Sequence, residues 1–183
     1  MLRLGKIPAV RDAVDLLLDC HQRIRSFVGL ARRVAAADLV DEEPLREAAV
    51  ALRRYFSEAL PLHARDEEES ILPRLRGIDA TLDAELDRMA REHAEHQGSV
   101  AALVEACSDL IAQPSRQLEI AAGLAATAEE LERHFAVHLR REEEVIFPAM
   151  RRLLDPAADL EIVREIRARR APAADRGVFP QGR

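Results

Sequence analysis

Two copies of one eleven-residue pattern lie 75 residues apart: His63-Ala-Arg-Asp-Glu67-Glu68-Glu69-Ser-Ile-Leu-Pro73 and His138-Leu-Arg-Arg-Glu142-Glu143-Glu144-Val-Ile-Phe-Pro148. Histidine, three carboxylates, an apolar pair and proline match in place. On a helix, residues i and i+4 are neighbours on one face, about 5–6 Å apart at Cβ. Each copy therefore aims an imidazole and a carboxylate at one point. Two such helices facing each other make a pocket suited to a pair of metal ions. A looser echo precedes each copy: His21 and His93 are 72 residues apart, in stretches ending at Val28 and Val100. The chain reads as two helical hairpins, each with one His on its first helix and His-x-x-x-Glu on its second. Packed about a pseudo-twofold axis, they bring His21, His63, Glu67, His93, His138 and Glu142 together.

Four imidazoles and two carboxylates form a mixed nitrogen and oxygen set with no thiolate. That set suits iron, manganese or zinc better than calcium or magnesium. Two carboxylates shared between two metals about 3.5–4 Å apart is a familiar arrangement inside helix bundles. Two imidazoles per metal leave coordination positions open to a small ligand such as O2 or NO. A single His on an apolar seam is more often a core residue than a ligand, and a Glu-rich run is usually a solvated face. Glu68, Glu69, Glu143 and Glu144 are expected on such a face. All six histidines lie within expected helices, however, and burying so many titratable groups unpaired is costly. The joint pattern favours a metal site.

The elements that must carry these residues follow from apolar spacing. A first helix is expected from about Val10 to Ala37, with Leu17, His21, Ile24, Val28 and Ala31 on its seam. The turn from Asp38 to Pro44 offers a cap for a second helix, which runs to about Arg76 through Leu45, Ala49, Leu52, Phe56 and Ala59. Pro61 should kink or split it just before the first motif. A third helix spans about Thr81 to Ala112 along Leu82, Leu86, Met89, His93, His96, Val100, Leu103, Cys107 and Leu110. A fourth runs from about Ser115 to Leu154 along Leu124, Leu131, His134, His138, Glu142, Val145 and Ala149. Residues 157–170 suggest a short extra helix. The first nine residues and the last thirteen read as an extended arm and a disordered tail. Four long helices with short turns predict an all-α, up-down-up-down four-helix bundle. The bundle is expected over 1–155, with 156–183 as short helix and tail.

Composition agrees. The chain of 183 residues is rich in helix formers, with 7 Gly and no Trp, as an all-α domain requires. The net charge of −6 gives no reason to expect nucleic acid. The two cysteines, Cys20 and Cys107, form no C-x-x-C pair, and a reducing compartment is the simpler expectation. No run approaches the roughly 18 apolar residues of a membrane helix. A cytoplasmic location without membrane association is expected. Oligomeric state is not legible.

With these residues in place, the chain resembles the hemerythrin-like, or HHE cation-binding, family over about residues 12–153. The carriers are His21, His63-x-x-x-Glu67-Glu68 with Ile71-Leu72-Pro73, Glu92-His93, and His138-x-x-x-Glu142-Glu143 with Ile146-Phe147-Pro148. The resemblance implies a four-helix bundle around two non-haem iron ions in an Fe–O–Fe or Fe–OH–Fe centre, with zinc or manganese as substitutes. Glu67 and Glu142 would bridge, and His21, His63, His93 and His138 would be terminal ligands. The oxygen-carrying hemerythrins have His-x-x-x-His on the third helix and His-x-x-x-x-Asp on the fourth. Here stand His93-x-x-His96 and His138-x-x-x-Glu142. The departure points away from an oxygen carrier, towards bacterial relatives linked to O2 or NO sensing, stress defence, iron handling or repair of damaged iron centres. A redox enzyme acting on NO or peroxide would need electrons from a partner protein, because the sequence offers no flavin or nucleotide motif. A module that simply holds metal is the remaining alternative. His96 and His134, each one turn from a candidate ligand, are a further ligand, a partner behind one, or core residues. Tyr55, on the His63 stripe, either reaches an open metal position or packs in the core. Cys20 points about 100° away from His21 round the helix and reads as packing.

Overall fold

The computed structural model describes residues 11–36 and 41–171. Among them there are helices and turns but no strand. The expected arm, the tail beyond residue 171, and residues 38–40 of the Asp38–Pro44 turn lie outside the described residues.

Helix α1 spans Ala13–Ala35, with Asp12 and Asp15 forming a reciprocal capping box. Such a box satisfies two backbone donors that the helix itself leaves open. Residues 42–75 form a second, composite rod: α2 (Glu42–Arg54), a wide turn at Tyr55–Ala59, α3 (Leu60–Arg65), a wide turn at Asp66–Ile71, and α4 (Leu72–Leu75). Gly77 then reverses the chain with φ +82°, a conformation open to glycine because it lacks Cβ. Asp79 caps α5 (Ala80–Ala112) through the backbone N–H groups of Thr81 and Leu82. After a 3₁₀ turn at Pro114–Arg116 comes α6 (Gln117–Arg141), a wide turn at Glu142–Ile146, and α7 (Phe147–Leu153). Asp155 caps α8 (Pro156–Arg170).

The wide turns modify the expectation for Pro61. The second rod is not broken there. Each wide turn closes with an i to i−5 bond: Leu60 N–H to Tyr55 C=O, Leu72 N–H to Glu67 C=O, and Phe147 N–H to Glu142 C=O. The next residue is a proline each time: Pro61, Pro73, Pro148. Proline lacks an N–H and its ring clashes with the carbonyl four residues back. The π-type turn relieves both without ending the rod. It also shifts the helical register. Ala59 and Val145, expected on the seam, are exposed, while Ile146 is buried.

The first rod packs on α6, the composite rod on α5, and α5 on α6. Two apolar clusters fill the interior. One holds Ile24, Val28, Leu52, Phe56, Leu103, Leu131, Phe135 and Leu139. The other holds Leu17, Ile71, Leu75, Leu86, Met89, Ile146, Phe147 and Met150, joined by Ile162, Val163 and Ile166 of α8. At roughly 1.5–3 kcal/mol per buried aliphatic or aromatic side chain, these clusters supply the main drive to fold. The candidate ligands sit in the belt between them. His21 lies between Leu17 and Ile24, one in each cluster, and His138 between Leu131 and Ile146.

Helix α8 is fastened to the composite rod by charge as well as by apolar contact. Asp66 is fully buried and accepts from Arg169 at 2.9 Å and Arg170 at 2.5 Å. Arg169 also reaches Ser70 Oγ at 2.8 Å, and Arg74 pairs with Glu165 at 2.8 Å.

Candidate metal centre

The structure brings His21, His63, Glu67, His93, His138 and Glu142 into one buried cluster. Their ligand atoms form two overlapping groups, each within a 4.8 Å span: His21, His63, Glu67 and Glu142, and then Glu67, His93, His138 and Glu142. The oxygens divide between the groups. Glu67 Oε1 lies 3.3 Å from His63 Nε2 and 3.9 Å from His21 Nε2, while its Oε2 lies 3.1 Å from His93 Nε2. Glu142 Oε2 lies 3.1 Å from His21 Nε2, and its Oε1 3.0 Å from His138 Nε2. Each carboxylate thus turns one oxygen to each group.

These approaches lack hydrogen-bond directionality. The Nε2 atoms of His21, His63 and His93 and all four Glu67 and Glu142 oxygens are buried without a hydrogen-bond partner among the described residues. Buried polar atoms are ordinarily paired, and leaving one unpaired costs about 1–3 kcal/mol. So many in one place, aimed at common points, fit metal cations of the kind this donor set prefers.

Three imidazoles are held from behind. His21 Nδ1 lies 2.8 Å from Glu143, His93 Nδ1 2.8 Å from Glu68, and His138 Nδ1 2.8 Å from Glu92. Arg141 in turn donates to Glu92 at 2.6 Å. An ionised carboxylate only accepts, so Nδ1 keeps its proton, and when the ring is neutral its Nε2 lone pair faces inward. Such partners fix ring orientation and raise ligand basicity. Their place in the Glu runs suggests a merely solvated face for Glu68 and Glu143, and these contacts correct that expectation. The motif's second glutamate reaches across to a histidine of the other hairpin, which is invisible in a single helix. Glu69, by contrast, pairs with Arg65 and Arg169, and Glu144 is exposed.

The charges sort themselves around the cluster. Burial pushes His21 down, but the Glu142 and Glu67 carboxylates outweigh it and carry it to about 10. His93 rises to about 9 in the same way, against burial, through Glu67 and Glu68. Burial dominates at His63 and His138, which fall to about 4. Glu142 is raised to about 7 by burial and by Glu67 beside it. Glu67 is held well below the carboxylate range, its burial outweighed by His63, His21 and His93.

A family model described as the hemerythrin HHE cation binding domain matches residues 12–149, with a second match over 86–170. The chain belongs to the hemerythrin HHE cation-binding family. The longer match begins nine residues before His21 and the shorter seven before His93, in keeping with the internal repeat. A comparison with curated proteins returns no match.

The other sequence candidates lie around this HHE centre. His96 is buried, and its ring packs against His138 with centroids 5.2 Å apart and against half-buried His134 at 5.3 Å. Neither falls in the two ligand groups. Tyr55 stacks on Phe27 with centroids 3.9 Å apart and lines a different cavity, with Arg169 and Arg170. Cys20 is partly buried, its Sγ 3.9 Å from Arg170. Beside the centre is a cavity of about 270 Å³ lined by His63, His93, His96 and His138, by apolar Phe56, Leu60, Val100 and Phe135, and by exposed Arg65, Glu68 and Gln97. No helix among the described residues is long and apolar enough to cross a membrane. Sequence reasoning missed Asp66. It sits in an acidic run, and its arginine partners lie more than 100 residues away.

Proposed function

We propose that this chain is a non-haem di-iron protein that binds O2 or NO and serves in gas or redox sensing, stress defence or iron homeostasis. One observation carries the reading: Glu67 and Glu142 each turn one oxygen to a two-histidine group on either side. His21 and His63 would hold one iron, His93 and His138 the other, with the two glutamates bridging and zinc or manganese able to substitute. A di-iron pair supplies reversible redox chemistry and positions for a small ligand. The chain's own residues do the rest. Glu143, Glu68 and Glu92 orient the imidazoles. Phe56, Leu60, Val100 and Phe135 line the cavity beside three of them with apolar surface, which suits a small neutral gas. Its 270 Å³ is several times the roughly 30 Å³ that a water takes in the liquid. We read the four long rods as the up-down-up-down bundle of the family, in a cytoplasmic protein.

The test is optical. Iron-loaded protein exposed to air should develop visible charge-transfer absorption, and the reduced anaerobic protein should change its spectrum on NO addition. A protein that takes up iron yet stays colourless and indifferent to both gases overturns the gas-binding reading.

His96 favours a second reading, a redox enzyme that reduces NO or peroxide. Its ring lies in the cavity wall between His134 and His138, where its imidazole can exchange a proton with a ligand in the cavity. Turnover with a reductant or redox partner, slowed in His96→Ala with the ligand-bound spectrum unchanged, supports it.

A further inference from the structure

The two hairpins support their imidazoles unequally. Glu68 on the second rod holds His93, and its repeat counterpart Glu143 holds His21. That pair of contacts obeys the pseudo-symmetry. The other pair does not. Glu92, the residue before His93, holds His138 and is itself braced by Arg141. The counterparts, by the 72- and 75-residue offsets, are Cys20 before His21 and Asp66 before Glu67. A thiol stands where the carboxylate should be, and an aspartate where the arginine should be. Asp66 is occupied by Arg169 and Arg170 of α8. His63 Nδ1 is left buried with no hydrogen-bond partner among the described residues, the only one of the four rings so placed.

We infer that the two cation positions of this centre are unequal, the His93–His138 position being the tight one that fills first and the His21–His63 position the weaker one. The inference rests on the dinuclear reading above. A ring anchored through Nδ1 is already turned and polarised for the metal. Removing such a partner typically costs 10–100-fold in metal affinity. His63 lacks that partner from the outset, so its position should be weaker by a factor of that order. The tight ion is the anchored resident, and the weak one is the ion that exchanges with the medium.

The test is a titration of the metal-stripped full chain with Co²⁺, followed by its d–d absorption and by calorimetry. The parent should take up two ions in steps about 10–100-fold apart. Repulsion between ions would also separate the steps, so variants make the assignment. Glu92→Ala should weaken the tight step by about 10–100-fold and draw the two steps together. Glu68→Ala, at the more exposed support of the same position, should move the same step if Glu92→Ala fails to fold. Glu143→Ala should move the weak step alone. If the positions were equal, Glu92→Ala would leave the tight step unchanged, because the first ion would go to the intact position. That result, or a Glu143→Ala that moves the tight step, overturns the inference while leaving the dinuclear reading intact. A parent that takes up one ion or none overturns the dinuclear reading and the inference with it.

Discussion

The attachment of α8 to the composite rod gives a quantitative expectation. Asp66 is fully buried one residue before Glu67, and its charge is met by Arg169 and Arg170. In Arg169→Ala/Arg170→Ala both partners go and the carboxylate stays. Breaking a buried pair from one side costs about 3–5 kcal/mol. The arginine side chains are 13% and 31% exposed, so water can enter the vacated space and the low end, about 3 kcal/mol, applies. For a chain of this size each kcal/mol moves Tm by about 2–4 °C, giving a fall of about 6–12 °C. Burial already outweighs the arginines and raises Asp66 above the ordinary range. Without them it rises further, so its cost is present at high pH and relieved as protonation neutralises it. The deficit should therefore be larger at pH 8 than at pH 5. Adding Asp66→Asn should recover most of it. The assay is thermal denaturation by circular dichroism of parent, double and triple variants at both pH values. A double variant that melts within about 2 °C of the parent, or a triple variant no better than the double, refutes the reasoning.

Other outcomes follow from the same geometry. In the metal-free protein His21 and His93 sit at about 10 and 9, so both are protonated at pH 7.5 and must lose those protons to bind metal. Calorimetry in buffers of different ionisation enthalpy should show about two protons released per filled centre, and affinity should rise with pH from neutrality through about 9; no release contradicts the assignment. Metal at about 100 times its dissociation constant should stabilise the chain by about 2.7 kcal/mol, a rise readable in Tm and absent in His63→Ala/Glu67→Ala. Val100→Phe narrows the cavity and should slow NO association in stopped flow without changing metal content; an unchanged rate means the ligand enters elsewhere.

Much of this centre was legible in the sequence because its chemistry repeats. The His-x-x-x-Glu spacing places both groups on one helical face, and the doubled offset names the partner hairpin. The helices showed for the same reason, their seams holding a 3–4 spacing over long stretches. What escaped lies across helices or in changes of register. Glu68, Glu92 and Glu143 act on histidines of other rods, at separations set by packing. Asp66 gave no signal of its own because Arg169 and Arg170 meet it only after α8 folds back. Val145 was misplaced because the turn at Glu142–Ile146 adds a residue to the helical repeat, turning Ile146 inward instead.

Glu67 belongs to both ligand groups, and this makes one comparison decisive. Elemental analysis of the purified chain, reconstituted with iron under anaerobic conditions, should give two iron ions per chain in the parent. It should give close to none in His63→Ala/Glu67→Ala with its helical content intact. Equal iron in the parent and the folded variant would contradict the account.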